Sequence, residues 1–525
     1  MSLDPWRSAG AALDVLAAGF ATPRQIEQRR EQRVAAMLQH AWRHSRLYRE
    51  RWRDAVGPDG PDASRIADLP VVRKAELMGR FDDWVTDPEV TRQRVQAFVA
   101  DPSRAGLPFL GRYAVWESSG TTGEPGVFVH DEHALAVYDA LEACRRDAPE
   151  PWRRWLDPLY VGERIAFVGA LGGHFASHAM VQRLRRLHPW LAATMRSFSI
   201  LQPVSALVAQ LDAFGPSIVA TYPTAAVMLA DEQAAGSLRI APREIWTGGE
   251  TLGMTQRRHV EQVFGCALRN SYGASEFLAI GWECRHGRLH ANTDWLLLEP
   301  VDAQHRPVPA GVEPATTLLT NLANRVQPIV RYDLGDRIVF DPAACACGSP
   351  LPVFEVQGRR DDPLALAGDD GRAVTLLPLA LTTVLEDEAG VFDFQLCRVD
   401  AHTLRLRLPA HGPVAAGGSA APSAARDRAE ADARAVQVLR RFAARHGLAS
   451  LRIETERVAV LPLGRSGKLQ RVVAELPPAT GAAAAVSGAA VPARRARVRA
   501  RVPAAAAHSA AGARRAHRVR CARWR

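Results

Sequence analysis

A chain of 525 residues with 47% apolar and 23% charged residues is too long for a single core and too apolar for a disordered protein, so two or three domains are expected. Its net charge of +10 points toward nucleic acid only until the distribution is read: beyond Glu475 there is no acidic residue and there are 11 arginines, and the remaining 55 basic and 56 acidic residues balance to −1. The neutral body argues against nucleic-acid binding as the main task and confines electrostatic attraction to the tail. Seven scattered cysteines fit a reducing compartment better than a disulfide framework. Asp4 and Asp14 interrupt the first apolar run, so no signal peptide is read there. The uncharged run over Ala213 to Ala230 carries Pro216 and Pro223 and reads as strand, turn and helix. No membrane span and a cytoplasmic location are expected.

Taken in order, Thr22-Pro23-Arg24-Gln25 is a helix start, with a threonine cap, a first-turn proline and a glutamine three residues on; the helix should run to about His44. LPVVRKAELMGRFDDWV, from Leu69, reads as a short extended piece and another helix. This N-terminal part, residues 1–110, is expected to pack on the main domain rather than to do chemistry. Next comes WESSGTTGEPGVFVH, which sets Ser118, Ser119, Gly120, Thr121, Thr122 and Gly123 between two β-rich runs. Glycines let successive backbone N–H groups converge, so such a loop can cradle an oxyanion such as a triphosphate. It is not the GxxxxGK[ST] pattern, and a Ser/Thr/Gly-rich surface loop is the plainer alternative.

RIAFVGA, SIVATY, REIWTGGE and ALRNSYGASE then alternate with helical text, which argues for a mixed α/β sheet covered by helices. Ligands collect where loops leave strand ends in such sheets, and Gly248-Gly249-Glu250 and Tyr272-Gly273-Ala274-Ser275-Glu276 fall there. Long β-rich runs from Leu289 to Phe340 read as an appended antiparallel subdomain, closing a core over residues 111–360. Residues 361–476 read as a small α+β domain, with a helix near Leu379 to Glu386 and another from about Asp427 to His446 stopped by Gly447. AHGPVAAGGSAAPSA within it reads as a flexible insertion. Residues 477–525 are Ala, Arg, Gly and Pro without periodicity and are expected to be disordered, as an electrostatic arm or a dispensable tail.

In the β-rich stretch, ECRHGRLH and ACACG bring Cys284, His290, Cys345 and Cys347 together in composition. A C-x-C pair plus a distant Cys/His pair can close a tetrahedral zinc site with a stapling role; His286 competes with His290, and four unpaired side chains are the alternative.

Five stretches fall in one order: SSGTTGEP from Ser118, YGASE from Tyr272, RYDLGD from Arg331, GRRDD from Gly358 and GRSGKLQR from Gly464. Together they resemble the adenylate-forming superfamily of acyl-CoA ligases, and TNLANRVQPIVRYDLGDR resembles its phenylacetate-CoA ligase branch. The resemblance covers about Arg29 to Glu475. It implies a large α/β domain with mixed sheets and a small α+β C-terminal domain turning about a hinge at Asp361. It further implies ATP, Mg²⁺ and coenzyme A as cofactors, a carboxylic acid, aromatic in this branch, as substrate, and a homodimer as the assembly. Ser118 to Gly123 would hold the β- and γ-phosphates. Most relatives carry a lysine near the end of that loop; Glu124 and Gly126 stand there here, so part of the positive charge must come from elsewhere. Tyr272 and Gly273 would lie against adenine, with Gly248, Gly249 and Glu250 on the slot's other side. Glu276 would hold Mg²⁺ and Ser275 would reach the α-phosphate. Asp336, helped by Arg359, would bind the ribose. Lys468, one of very few lysines in an arginine-dominated chain, would be catalytic, serving both the carboxylate and the α-phosphate. Some members of the branch carry a structural zinc, which favours that reading of the Cys/His cluster. The acid is expected near Ala220-Thr221-Tyr222-Pro223 and Val168 to Phe175. A carrier-protein thiol as acceptor, release of the nucleotidyl product, and a non-catalytic nucleotide-binding protein are the alternatives.

Overall fold

The helix start read at Thr22 forms as a reciprocal cap: Thr22 N donates to Gln25 Oε1 at 2.8 Å and Gln25 N to Thr22 Oγ1 at 3.3 Å. The helix spans Pro23–His44, and its stripe of Val34, Met37, Leu38 and Ala41 is buried. A helix not read from the sequence, Pro5–Gly19, precedes it and is capped by Asp4. The LPVVRK segment breaks into two short helices, Lys74–Gly79 and Phe81–Trp84, because Arg80 leaves helical geometry (φ −120°, ψ 36°) and Phe81 and Trp84 turn into the core.

The computed structural model describes residues 4–57, 60–118, 126–146, 156–157, 160–357, 363–391, 393–410, 422–462 and 470–474, with no side chains for 422–429. Of the insertion read over Ala410 to Ala424, residues 411–421 therefore lie outside the described residues, as does the tail from 477, and Pro422 to Ala424 instead begin the helix Pro422–Arg445.

A nine-stranded sheet forms the centre. Its order is Arg337–Phe340, Val353–Gln357, Leu289–Ala291, Phe277–Glu283, Ala267–Ala274, Glu244–Thr247, Ile218–Thr221, Ile165–Gly169 and Met195–Ser199. From Ala267–Ala274 to Met195–Ser199 neighbouring strands run parallel, and from Ala267–Ala274 to Arg337–Phe340 they run antiparallel. The alternation of β and α text thus gives the parallel half. The β-rich text divides. Part of it completes this same sheet, and Leu296–Val301, Thr316–Asn321 and Tyr332–Asp333 form a separate three-stranded sheet. Period-two patterning carries no information about which strand pairs with which, so the sequence reading could not separate the two groups.

The small unit has a four-stranded sheet, Arg452–Val458, Thr403–Pro409, Gln395–Asp400 and Val472–Val473 in that order, with helices Pro378–Asp387 and Pro422–Arg445 and a hairpin of Leu364–Ala367 with Ala373–Leu376. Gly447, at φ +75°, follows the long helix as the stop read from the sequence. Leu381, Phe394, Leu396 and Phe442 of this unit share one apolar cluster with Val168, Leu207 and Val219 of the parallel half. Residues up to Leu476 form one compact unit by contacts.

Candidate functional site

Parallel pairing puts the carboxyl ends of five strands on one edge of the sheet. Ala170–Phe175, Tyr222, Gly248–Glu250 and Ser275–Glu276 all leave from that edge, beside the strand where parallel pairing gives way to antiparallel.

The Ser/Thr/Gly loop opens from the hairpin of Ala114–Glu117 with Val127–His130. Ser118 closes its neck: Ser118 N donates to Gly126 O at 2.8 Å, and Ser118 Oγ accepts from Gly126 N at 2.9 Å. Ser119, Gly120, Thr121, Thr122 and Gly123 lie outside the described residues, as do Arg359, Asp361 and Lys468. The strand after the loop is held by amide side chains that sequence reasoning missed. Gln327 accepts from Val129 N at 2.8 Å and donates to Val127 O at 3.2 Å, and Asn324 donates to Val129 O at 2.8 Å. Both are fully buried, so these bonds supply the partners that a neighbouring strand would. The signal was present in TNLANRVQPIV, where uncharged amides recur inside an apolar run.

Behind the loop, Trp116 stacks on His130 with ring centroids 3.9 Å apart and donates from Nε1 to Ser275 O at 2.8 Å. Burial pushes His130 down to about 3, so it is a neutral packing group at pH 7. Asn321 donates to Glu276 O and to the Tyr138 hydroxyl, each at 2.9 Å. Gly273 permits the turn, since a Cβ there would lie 1.9 Å from Leu278 O.

This framework brings three of the expected nucleotide residues together. The Tyr272 hydroxyl donates to Asp336 Oδ2 at 2.7 Å. Glu276 is buried, and the Tyr332 phenol donates to its carboxylate. Burial raises the Glu276 pKa, while the Tyr332 bond and the charge of Lys74 draw it back and Asp336 adds to the rise. A buried carboxylate within electrostatic range of a second one is a donor pair whose chemistry fits a hard cation.

Gly248 and Gly249 lie across from this turn. A Cβ at Gly248 would come 2.9 Å from Ser271 Oγ, and one at Gly249, where φ is +79°, would come 3.2 Å from the Tyr222 ring. The Glu250 carboxylate caps helix Pro223–Ala234, accepting from Thr224 N at 3.0 Å and Thr224 Oγ1 at 3.1 Å, so it ties the Gly248–Glu250 segment to that helix. Of the residues expected around the acid, Thr221 and Val168 meet, Thr221 Oγ1 donating to Val168 O at 2.8 Å, and the Tyr222 hydroxyl is 3.3 Å from Ser177 Oγ, beyond the expected segment. Nearby, Glu117 N donates to His174 O at 2.9 Å. Burial, and then the charge of Asp387, push the Glu117 carboxyl up to about 7. Asp387 belongs to the small unit, and its Oδ2 would be 3.5 Å from a Cβ at Gly172.

Away from the sheet edge, the ligand atoms of Cys284, His290, Cys345 and Cys347 all lie within 4.8 Å of one another. Cys284 Sγ is 3.8 Å from Cys345 Sγ, and Cys347 Sγ is 3.4 Å from His290 Nε2. Tetrahedral zinc with Zn–S near 2.3 Å places its sulfurs about 3.8 Å apart, so the donor set fits that ion. His290 Nδ1 bonds Leu351 O at 2.8 Å, which leaves the Nε2 lone pair for a metal, and Trp282 stacks on its ring. His286 is exposed and outside this cluster.

No family model matches the chain and no curated protein matches it in sequence. Among solved structures, 2-hydroxyisobutyryl-CoA ligase in complex with 2-HIB-AMP and CoA in the thioesterification state matches at a TM-score of 0.53 and 21% identity, covering 87% of this chain and 91% of that one. The same ligase in an open conformation with the same ligands gives a TM-score of 0.47 at 20% identity, covering 85% and 90%. Anthranilate CoA ligase AuaEII with anthranoyl-AMP gives 0.34 at 18% identity, covering 68% and 66%. The chain has the α/β fold of the first of these structures, mixed sheets included. Among the described residues, no helix is long and apolar enough to cross a membrane.

Proposed function

We propose that this chain is a member of the adenylate-forming superfamily that activates a carboxylic acid with ATP and passes the acyl group to coenzyme A, as a phenylacetate-CoA ligase-like enzyme taking an aromatic acid. The observation that carries the reading is the meeting of Tyr272, Asp336 and Glu276 at the point where the sheet changes from parallel to antiparallel. The fold shared with a ligase whose structure holds an acyl-AMP and CoA supports it.

A carboxylate is a poor electrophile because its oxygen leaves badly, and joining it to AMP supplies a good leaving group. In this reading the acid's oxygen attacks the α-phosphorus and pyrophosphate departs. The Tyr272 ring covers adenine from one side, with Gly248 and Gly249 opposite. The Asp336 carboxylate, held by the Tyr272 hydroxyl, accepts from the ribose hydroxyls, with Arg359 beside it. Ser118 to Gly123 take the terminal phosphates, and Ser275 reaches the α-phosphate. Glu276 holds Mg²⁺, which neutralises charge on the phosphates. Lys468 approaches the reacting carboxylate and α-phosphate on its Gly-rich loop, and the small domain turns about Asp361 before CoA attacks. The acid lies between Tyr222 and the Val168 to Phe175 segment, and the enzyme works in the cytoplasm. Cys284, His290, Cys345 and Cys347 hold a zinc ion that staples the antiparallel half.

The test is acid-dependent exchange of labelled pyrophosphate into ATP over a panel of aryl and alkyl acids, with wild type and Lys468→Ala. Exchange with aryl acids that collapses in the variant is expected. Absence of exchange despite ATP binding would defeat the reading.

A further inference from the structure

Of the 66 basic residues, only Lys74 and Lys468 are lysines. Lys468 belongs to the Gly-rich loop already given a role, whereas Lys74 lies in the N-terminal part that was expected only to pack. Its neighbours place it at the phosphate loop. Val72 N donates to Arg331 O at 3.1 Å and Val72 O accepts from Asp333 N at 2.9 Å, so the segment is strapped along the strand that carries Tyr332. Lys74 follows at the first position of helix Lys74–Gly79. Met78 of the same helix accepts from Val127 N through its sulfur at 3.4 Å, which fixes the helix against the strand leaving the loop. Lys74 Cδ lies 3.1 Å from the point a Cβ would occupy on Gly126, and Ser118 Oγ lies 3.0 Å from that same point. The stem of Lys74 therefore crosses the loop's neck in room that Gly126 leaves. From there its charge reaches Glu276.

The sequence SSGTTGEPG carries Glu124 and no cation, and a triphosphate bound beside it needs compensating charge. We propose that Lys74 supplies it: the ammonium, delivered by the N-terminal part between the loop's neck and Glu276, binds the terminal phosphates of the nucleotide and the departing pyrophosphate. An ammonium is a compact point charge on a flexible stem, which suits a narrow neck better than the planar fork of an arginine. This assignment rests on the ATP-dependent reading above.

Calorimetric titration of the full chain with MgATP and, separately, with AMP tests it on wild type and Lys74→Met, which keeps the apolar stem. Losing one charge-assisted contact should weaken MgATP about 10- to 100-fold. AMP, which lacks the terminal phosphates, should bind the variant as it binds wild type. In the exchange assay KM for pyrophosphate should rise in parallel, and thioester formation from preformed acyl-AMP and CoA should persist. Equal losses for MgATP and AMP, or no loss for either, would overturn the assignment. Wild type that binds MgATP but exchanges with no acid would remove the ligase reading and leave the Lys74 comparison standing. Wild type that binds neither nucleotide would remove both.

Discussion

Glu117 provides a pH-dependent prediction whose sign follows from its place at the junction between the sheet edge and the small unit. Its folded pKa stands near 7 against an ordinary 4.5, raised by burial and then by Asp387. A difference of about 2.5 pKa units corresponds to about 3.4 kcal/mol, and partial exposure of the side chain reduces this to about 1–2 kcal/mol. Because the folded pKa is the higher one, folding takes up a proton between pH 4.5 and about 7. Glu117 therefore contributes fully below pH 4.5, and that contribution is lost as pH rises to about 7. Glu117→Gln is neutral throughout and should lack this slope. With an unfolding entropy near 2 cal/mol/K per residue, a unit of this size shifts by about 1 °C per kcal/mol. The wild-type Tm, followed by tryptophan fluorescence, should thus fall relative to the variant by about 1–2 °C from pH 5 to pH 8. Asp387→Asn removes the charge acting on Glu117 and should move the window to lower pH. A wild-type-minus-variant difference that is flat across this range, or rises with pH, would refute the reasoning.

Gly273→Ala would set a Cβ against the Leu278 carbonyl and force the Tyr272–Glu276 turn apart; a loss of about 3 kcal/mol or more, read as a lowered Tm with failed MgATP binding, is expected. Asn321→Ala removes the donor to Glu276 O and to Tyr138 from a fully buried site, which should cost about 1–3 kcal/mol and weaken MgATP, whereas a change confined to Tm would show that the turn holds without it. Metal analysis of the purified chain should find one zinc per chain, lost in Cys345→Ser, with chelation lowering Tm and leaving acid preference unaltered; a metal-free wild type of equal stability would count against the staple.

The elements that depend on local rules were legible in the sequence. The cap at Thr22, the strands Ile165–Gly169 and Ile218–Thr221 and the stop at Gly447 need only neighbouring residues to be recognised. What was not legible depends on partners far along the chain. Phe277–Glu283 extends the central sheet because Tyr272 pairs with Gly281, and nothing in the alternation of either strand announces that register.

The site divides in the same way. Tyr272, Asp336, Glu276 and the Cys/His set were read as residue types in short motifs, and the fold brings each group together. Glu250, by contrast, was read as a wall of the adenine slot, and its carboxylate is bound to Thr224, 26 positions earlier. Gln327 and Asn324 hold the strand after the Ser/Thr/Gly loop from about 200 residues away. A side chain whose partner is backbone leaves no matching residue in the sequence, because every position offers the same N–H and C=O. Such supports become visible only as buried amides in an apolar run. In this chain those amides hold both the strand that follows the Ser/Thr/Gly loop and, through Asn321, the turn that carries Glu276. The segment from Asn321 to Gln327 therefore ties the strand Val127–His130 to the turn that carries Glu276.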